Sequence, residues 1–267
     1  MTQIDIENVS LSINGVTLVD HVSAQLQTGK FTVLLGPNGA GKSLLLGCLA
    51  GLKPRQTGSI TMANKEINSL PPKERAKIIG LLPQAREVNW NITVETLVSF
   101  GRLAHHGAFS GTTDSDETAI KNAITATGIA PFLTRTVKTL SGGELARVLL
   151  ARVLAGEPDW LLADEPLANL DPVHQMDVLD LLAAIALNGR GVVAVLHDLT
   201  QAARFGDHII LMAKGRVIAA GKPDDVLVPK HIRAAYGIDA DIIAGADGRP
   251  VITPVRWHNP NHIEGAA

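Results

Sequence analysis

Apolar residues fall into two kinds of run along this chain, and the contrast predicts its architecture. Short unbroken runs, Phe31 to Leu35, Ile78 to Leu82, Trp160 to Ala163 and Val192 to Leu196, read as strands covered on both faces. Other segments repeat every three or four residues instead. Leu145, Val148, Leu149 and Arg152 share one side of a helix opened by Ser141 and closed by Gly156 and Pro158. Val173, Met176, Leu179, Leu182 and Ile185 share one side of a helix begun at Pro172. Buried strands alternating with helices describe an α/β domain with a mainly parallel sheet, whose ligands belong at the carboxyl edge.

Before the first buried strand the period changes to two. Ile4, Ile6, Leu11 and Ile13 precede Asn14-Gly15, and Thr17 to Val19 follow, the pattern of an antiparallel hairpin. Ser59 to Met62, before a turn at Asn64-Lys65, adds a strand to this small β-lobe. Pro71-Pro72 opens a basic helical segment, Lys73 to Lys77. A helical block comes next: Thr93 caps Val94 to about Leu103, and Asp114-Ser115-Asp116-Glu117 opens a helix through Thr127 that Gly128 ends. A loop from His105 to Gly111 separates the two. His208 to Ala213 and Arg216 to Ala220, around Lys214-Gly215, form a last hairpin, after which the pattern weakens.

Composition narrows the classes. The 267 residues are 46% hydrophobic, with mean hydropathy +0.18, enough for a sizeable core. A net charge of −2 and a pI near 6.5 leave no electrostatic footprint for nucleic acid. The longest apolar stretches, Leu181 to Leu187 and Val192 to Leu196, fall short of the roughly 18 to 20 residues a bilayer span needs. Met1 to Asp5 shows no secretory pattern. The single cysteine, Cys48, excludes an internal disulfide, fits a reducing, cytoplasmic setting, and reads as a small buried hydrophobe.

Chemistry enters between the run Phe31 to Leu35 and the leucine-rich helix Leu44 to Leu49. Gly36-Pro37-Asn38-Gly39-Ala40-Gly41-Lys42-Ser43 is a strand-to-helix loop with the GxxxxGK[ST] spacing. Its backbone N–H groups and the helix N-terminus suit phosphate oxygens; Lys42 would reach the β- and γ-phosphates and the Ser43 hydroxyl would sit on Mg²⁺. A nucleoside triphosphate is the expected ligand. The strand Trp160 to Ala163 then ends in Asp164-Glu165, an acid pair suited to supporting Mg²⁺ through Asp164 and serving as general base through Glu165. Leu140-Ser141-Gly142-Gly143-Glu144 contains a capping box, Ser141 with Glu144. Two glycines in a first helical turn cost roughly 1 kcal/mol each relative to alanine, so something must approach that backbone closely.

With these motifs in this order, the chain resembles the ATP-binding subunits of ABC transporters over roughly residues 1 to 240. The resemblance implies a P-loop NTPase core with an N-terminal antiparallel β-subdomain and an inserted helical subdomain, about 88–155. It also implies an ATP-binding domain over 1–245 and a tail over 246–267. It makes Leu140 to Glu144 the signature that meets the ATP of an opposite subunit, placing Ser141, Gly142, Gly143 and Glu144 at the nucleotide. Gln84 falls at the Q-loop glutamine, a Mg²⁺ and water contact, and His197 at the switch histidine facing the γ-phosphate. Ala168-Asn169-Leu170-Asp171 stands at the D-loop, with Asp171 as its acid. ATP and Mg²⁺ are the implied ligands. A second copy packed head to tail and a transmembrane permease are the implied partners, on the cytoplasmic membrane face.

Ile92-Thr93-Val94-Glu95, Gly101-Arg102, His105-His106 and Ala235-Tyr236-Gly237-Ile238 are similar to stretches of the importers of iron chelates, haem and cobalamin, which work with a substrate-binding protein. Zinc and manganese importers carry similar stretches, an exporter subunit would share the core, and a soluble ABC ATPase would share the motifs. His105, His106, His258 and His262 read as loop and tail residues and not as cargo ligands. The family's usual adenine-stacking aromatic is missing from Leu11 to Val19, and only 3% of residues are aromatic, so weak discrimination between ATP and GTP is expected.

Overall fold

The computed structural model of the chain describes residues 3–84, 90–107 and 111–255. β1 (Gln3–Ile13) and β2 (Val16–Gln27) form the expected hairpin, with Asn14 and Gly15 both at positive φ. β3 (Phe31–Leu35) runs into the glycine-rich loop and α1 (Lys42–Leu49). β4 (Thr57–Met62) and β5 (Lys65–Glu66) complete an antiparallel sheet in the order β2-β1-β4-β5. Their turn lies at Ala63 and Asn64, both left-handed, one residue earlier than the sequence suggests. α2 (Pro72–Ile78) and β6 (Ile79–Leu82) lead to Gln84.

The helical block begins with α3 (Val94–Ser99), whose first turn is capped by the Thr93 hydroxyl accepting from the Thr96 amide at 3.2 Å. It tightens into a single 3-10 turn, Phe100–Arg102, before the expected Leu103. That turn is packed closely on the chain at Arg152: a Cβ on Gly101 would lie 2.1 Å from the Arg152 carbonyl oxygen. α4 (Asp114–Thr127) is capped one residue ahead of the expected start, by a Thr113–Asp116 capping box, and ends at Gly128 in the left-handed region. α5 (Gly142–Ala155) carries the foreseen Ser141–Glu144 box. Its burial is broader than one stripe, taking in Ala146, Leu150, Ala151, Val153 and Leu154, because it is packed by α3 and α4 and lies against β6.

β7 (Trp160–Ala163), α6 (Pro172–Leu187), β8 (Gly191–Val195), α7 (Leu199–Phe205), β9 (His208–Ala213) and β10 (Arg216–Gly221) complete the main sheet. Its order is β10-β9-β3-β8-β7-β6, parallel except for β10. Period-two alternation divides the core. Phe31, Val33, Leu161, Val192 and Ile209 pack against the helices on one face; Leu34, Leu162, Val193 and Ile210 pack with α1 and the antiparallel lobe on the other. That double cover is why these strands read as unbroken apolar runs.

In α6 two expected core positions are on the surface: Val173 is 70% and Met176 42% exposed. The first turn leans on neighbouring loops, with Gln175 Nε2 donating to the Leu170 carbonyl at 2.9 Å, and burial against the sheet starts only at Val178.

The chain continues through α8 (Pro223–Val226), α9 (Pro229–Tyr236), β11 (Asp239–Ala244) and β12 (Pro250–Val255). β11 and β12 pair as an antiparallel hairpin, so the boundary expected at 245 falls inside its turn and not at the start of a tail. Thr200 of α7 fixes this hairpin, accepting from the Ile252 amide at 2.9 Å and donating to the Ile252 carbonyl at 3.2 Å. His258 and His262 lie outside the described residues. Among the described residues no helix is long and apolar enough to cross a membrane.

Candidate nucleotide site

The phosphate loop is fixed at both ends by the absence of side chains. A Cβ on Gly36, at φ 147°, would lie 2.1 Å from the Met212 carbonyl oxygen of β9, and one on Gly41, at φ 93°, would lie 2.4 Å from the Leu18 carbonyl oxygen of β2. The loop thus closes against a parallel strand on one side and the N-terminal hairpin on the other. Gly215 ties in the β9–β10 turn, donating to the Ala40 carbonyl at 3.2 Å. Inside the loop, buried Lys42 sends Nζ to the carbonyls of Gly36 and Pro37 at 2.7 and 2.9 Å. Burial pulls its ammonium below the ordinary lysine range, and the charges of Glu165 and Asp164 pull it back. Asn38 and Gly39 stand exposed at the crest.

Three strand ends converge on this loop. Ser43 Oγ donates to Asp164 Oδ1 at 2.8 Å, joining the start of α1 to the end of β7. Burial raises the Asp164 carboxyl above its usual range, against the lowering effect of that Ser43 hydrogen bond. Glu165 sits in the left-handed region at φ 49°, a conformation costing on the order of 1–3 kcal/mol for a non-glycine residue. Its two oxygens are held from opposite sides: Gln84 Nε2 donates to Oε2 at 2.8 Å, and His197 Nε2 lies 2.8 Å from Oε1. Asn38, Gly39, Gln84, Glu165 and His197 line one open cavity of about 620 Å³. Asp198, next to His197, caps α7 by accepting from the Gln201 amide at 2.7 Å.

Ser141, Gly142, Gly143 and Glu144 are assembled elsewhere; among the described residues no hydrogen bond or ion pair joins them to the phosphate loop. Glu144 is spent within the chain. One oxygen accepts from the Ser141 amide at 2.7 Å and the other from Arg135 Nη1 at 2.8 Å, and these bonds hold its carboxyl below the usual range. It shapes the loop and leaves the backbone of Ser141 and Gly142 exposed. The two glycines differ. A Cβ on Gly143 would lie 2.5 Å from the His174 ring, whereas one on Gly142 would meet only the Asn169 carbonyl oxygen at an ordinary 3.5 Å. His174 escaped the sequence reading; a glycine beside a helix-borne ring three residues past Asp171 was the available signal. Asp171 itself is exposed at the N-cap of α6, where its side chain makes no capping bond.

Mg²⁺ takes oxygen ligands and keeps several waters and substrate phosphates. The Ser43 hydroxyl and the Asp164 carboxylate, in contact at 2.8 Å, and the Gln84 amide carry oxygens that could serve as ligands of that kind. Among the described residues no group of three or more His, Cys, Asp or Glu could hold a metal unaided, so phosphate oxygens would have to complete the shell. His105 and His106 are structural: His105 Nε2 lies 3.0 Å from the Gly156 carbonyl and His106 Nε2 3.0 Å from Asp116 Oδ2. Buried Arg102 completes the cluster, donating to Asp116 at 2.7 Å and to the Ala155 carbonyl and Glu157 at 2.9 Å.

A parallel sheet whose first β-α loop closes on a buried lysine, beside an acid pair at a neighbouring strand end, defines a nucleotide-binding domain of the P-loop class. The chain belongs to the ABC transporter family, whose profile matches residues 19–168. It is 39% identical to the cobalamin import ATP-binding protein BtuD of Halobacterium salinarum over 99% of its own length, and spans 65% of that relative. With the iron(3+)-hydroxamate import ATP-binding protein FhuC of Bacillus subtilis it shares 35% identity, covering 91% of each chain. Its fold is that of a chain from a metal-chelate type ABC transporter solved in an inward-facing conformation, with TM-score 0.83 at 23% identity over 96% of this chain and 98% of the other.

Proposed function

We propose that this chain hydrolyses ATP to power import of an iron chelate, haem or cobalamin through a partner transmembrane permease. The observation that carries the reading is the convergence of Lys42, Ser43, Gln84, Asp164, Glu165 and His197 on the carboxyl edge of one parallel sheet. The cargo class comes from the relatives, since Gly101-Arg102 has a sufficient structural reason inside the chain.

In this reading the backbone N–H groups from Gly36 to Ser43 cradle the phosphates of ATP, and Lys42 turns from its loop carbonyls to the β- and γ-phosphates. Ser43, Asp164 and Gln84 would hold Mg²⁺, which when bound neutralises phosphate charge. Glu165 orients water for in-line attack on the γ-phosphate and accepts its proton; its carboxylate is pre-positioned by Gln84 and His197, which removes orientational freedom before the reaction. Lys42 and His197 meet the charge that develops. Ser141, Gly142 and Gly143 contact the nucleotide of a second copy arranged head to tail, with Glu144 bracing them and Asp171 at the junction. The openness at Gly142, the uncommitted Asp171 side chain and the exposed Val173 and Met176 support that interface.

Closure on two ATP molecules and opening after hydrolysis would pass through Gln84 and the helical block to the permease, at the cytoplasmic face of the membrane, while a substrate-binding protein delivers cargo from the other side. Glu165→Gln tests the chemistry. It should retain ATP binding, accumulate as a dimer in light scattering, and lose turnover by on the order of 10²–10⁴; brisk hydrolysis by this variant would remove Glu165 from the role.

A further inference from the structure

Arg135 belongs to no motif in the sequence, yet it braces the Ser141 to Glu144 loop from outside α5. Its Nη1 donates to Glu144 Oε1 at 2.8 Å and its Nη2 to the Thr139 carbonyl at 2.6 Å, so one guanidinium spans the loop from the residue before Leu140 to the residue after Gly143. It also lies over the Phe132 ring, 5.5 Å from the centroid. The backbone of Arg135 is fixed separately. Its carbonyl accepts from the Val94 amide at 3.0 Å; the Glu95 amide donates to the Leu133 carbonyl at 3.1 Å and the Val137 amide to the Ile92 carbonyl at 3.0 Å. With the Thr93–Thr136 bridge, these bonds tie the segment to the start of α3 before the side chain reaches the loop.

Stability alone is a poor reason for the pair. The Arg135 and Glu144 side chains are 37% and 20% exposed, and ion pairs of that exposure add little to a fold. The pair matters more for the charge that the loop presents. The second Glu144 oxygen accepts from the Ser141 amide at 2.7 Å, which sets the carboxylate beside the exposed backbone of Ser141 and Gly142. A carboxylate there repels phosphate, whereas the N-terminus of α5 attracts it. Arg135 supplies a cation that offsets the first effect and leaves the second.

We propose that Arg135 is a positioning residue for ATP held by a second copy of this chain: it orients the Glu144 carboxylate and neutralises it, so that the backbone of Ser141 and Gly142 can receive the phosphates. The proposal rests on the reading of this loop as the face that a second copy's nucleotide meets. Arg135→Gln should leave the melting temperature and ATP binding by the single subunit at the level of the parent chain. ATP-induced dimerisation should weaken by about two- to thirtyfold, the worth of an exposed ion pair counted twice because each dimer contains it twice. Adding Glu144→Gln removes the uncompensated charge while the side chain still accepts from the Ser141 amide, so the double variant should regain most of the lost affinity.

The experiment measures the dimer dissociation constant with ATP by light scattering over a concentration series, using full-length Glu165→Gln chains that carry Arg135→Gln, Glu144→Gln, both or neither. Thermal melts and ATP titrations at low protein concentration accompany each. Weaker dimerisation by Arg135→Gln that Glu144→Gln reverses, with melting and ATP binding unchanged, supports the assignment. Unchanged dimerisation overturns it. A double variant no better than Arg135→Gln also overturns it, since the charge of Glu144 is then not what Arg135 answers, and a melting temperature that falls in step with dimerisation leaves Arg135 a packing residue. If the Glu165→Gln chain itself fails to dimerise with ATP, the head-to-tail reading falls and the proposal with it, a result distinct from a defect confined to the Arg135 variants.

Discussion

Gly142 and Gly143 should respond in opposite ways to alanine. Alanine is favoured over glycine in a helix by about 1 kcal/mol, and at the first positions of α5 by something less. At Gly143 the new Cβ would stand 2.5 Å from the His174 ring, about 1 Å inside ordinary contact, on a helix already buried on most sides. Overpacking typically costs about 1–3 kcal/mol, and because the partly exposed His174 ring can turn aside the cost here lies at the low end, so Gly143→Ala should be net destabilising by up to about 1 kcal/mol. Adding His174→Ala should remove the clash, giving a favourable coupling of about 1 kcal/mol in a double-mutant cycle. Gly142→Ala meets only an ordinary contact at 3.5 Å and should leave the subunit at least as stable as wild type. If that glycine is kept bare for a partner's nucleotide, its alanine variant should nevertheless lose ATP-induced dimerisation. Urea unfolding of the four variants and light scattering with ATP in the Glu165→Gln background read both effects. A stabilised Gly143→Ala would refute the packing argument, and a Gly142→Ala that dimerises normally would refute the interface argument.

Other consequences follow from the same geometry. Gly101→Ala would press a methyl to 2.1 Å from the Arg152 carbonyl and should cost about 1–3 kcal/mol in thermal or urea unfolding; a neutral effect would mean that α3 and α5 are not locked there. The Thr113 hydroxyl and the Arg102 guanidinium hold the Asp116 carboxyl well below the usual aspartate range. Its charged form therefore adds stability that is present above about pH 4, the ordinary value, and is lost as the pH falls through the folded-state value. Asp116→Asn should flatten the acid limb of the stability profile, and an unchanged limb would contradict this. At the tip of the N-terminal hairpin Ile13 is 42% and Val16 59% exposed, an aliphatic platform without a ring. Competition binding should show less than tenfold preference of ATP over GTP, about 1.4 kcal/mol, and a larger preference would point to a specific base contact elsewhere.

The sheet was legible in the sequence because parallel strands buried on both faces leave a plain signal, and because three of them are followed within two residues by a polar residue on the same edge: Gln84, Asp164 and His197. The loop and the capping box were legible because both are local, set by residues within eight positions of each other. What escaped depends on distant partners. β11 and β12 have mostly exposed side chains and no clean alternation, and they are fixed by Thr200, some fifty residues earlier. The first turns of α6 keep an apolar period that no core answers, since Val173 and Met176 face outward. The missing side chain of Gly143 has a reason inside the chain, the His174 ring, that no spacing in the sequence connects to it, whereas that of Gly142 has none among the described residues. His105 and His106 likewise gain their meaning from Gly156 and Asp116, which no spacing in the sequence connects.

The central claim is that ATP handling at Lys42 drives uptake of a metal chelate or tetrapyrrole cargo. Its most direct test is uptake of labelled ferric siderophore, haem, cobalamin and Mn²⁺ into cells carrying either this chain or its Lys42→Ala variant as the only copy. Uptake of a siderophore, haem or cobalamin that is present with the wild type and lost with Lys42→Ala is the predicted result. If none of these three depends on Lys42, the import assignment is contradicted, and dependence confined to Mn²⁺ would assign the chain to a different importer class.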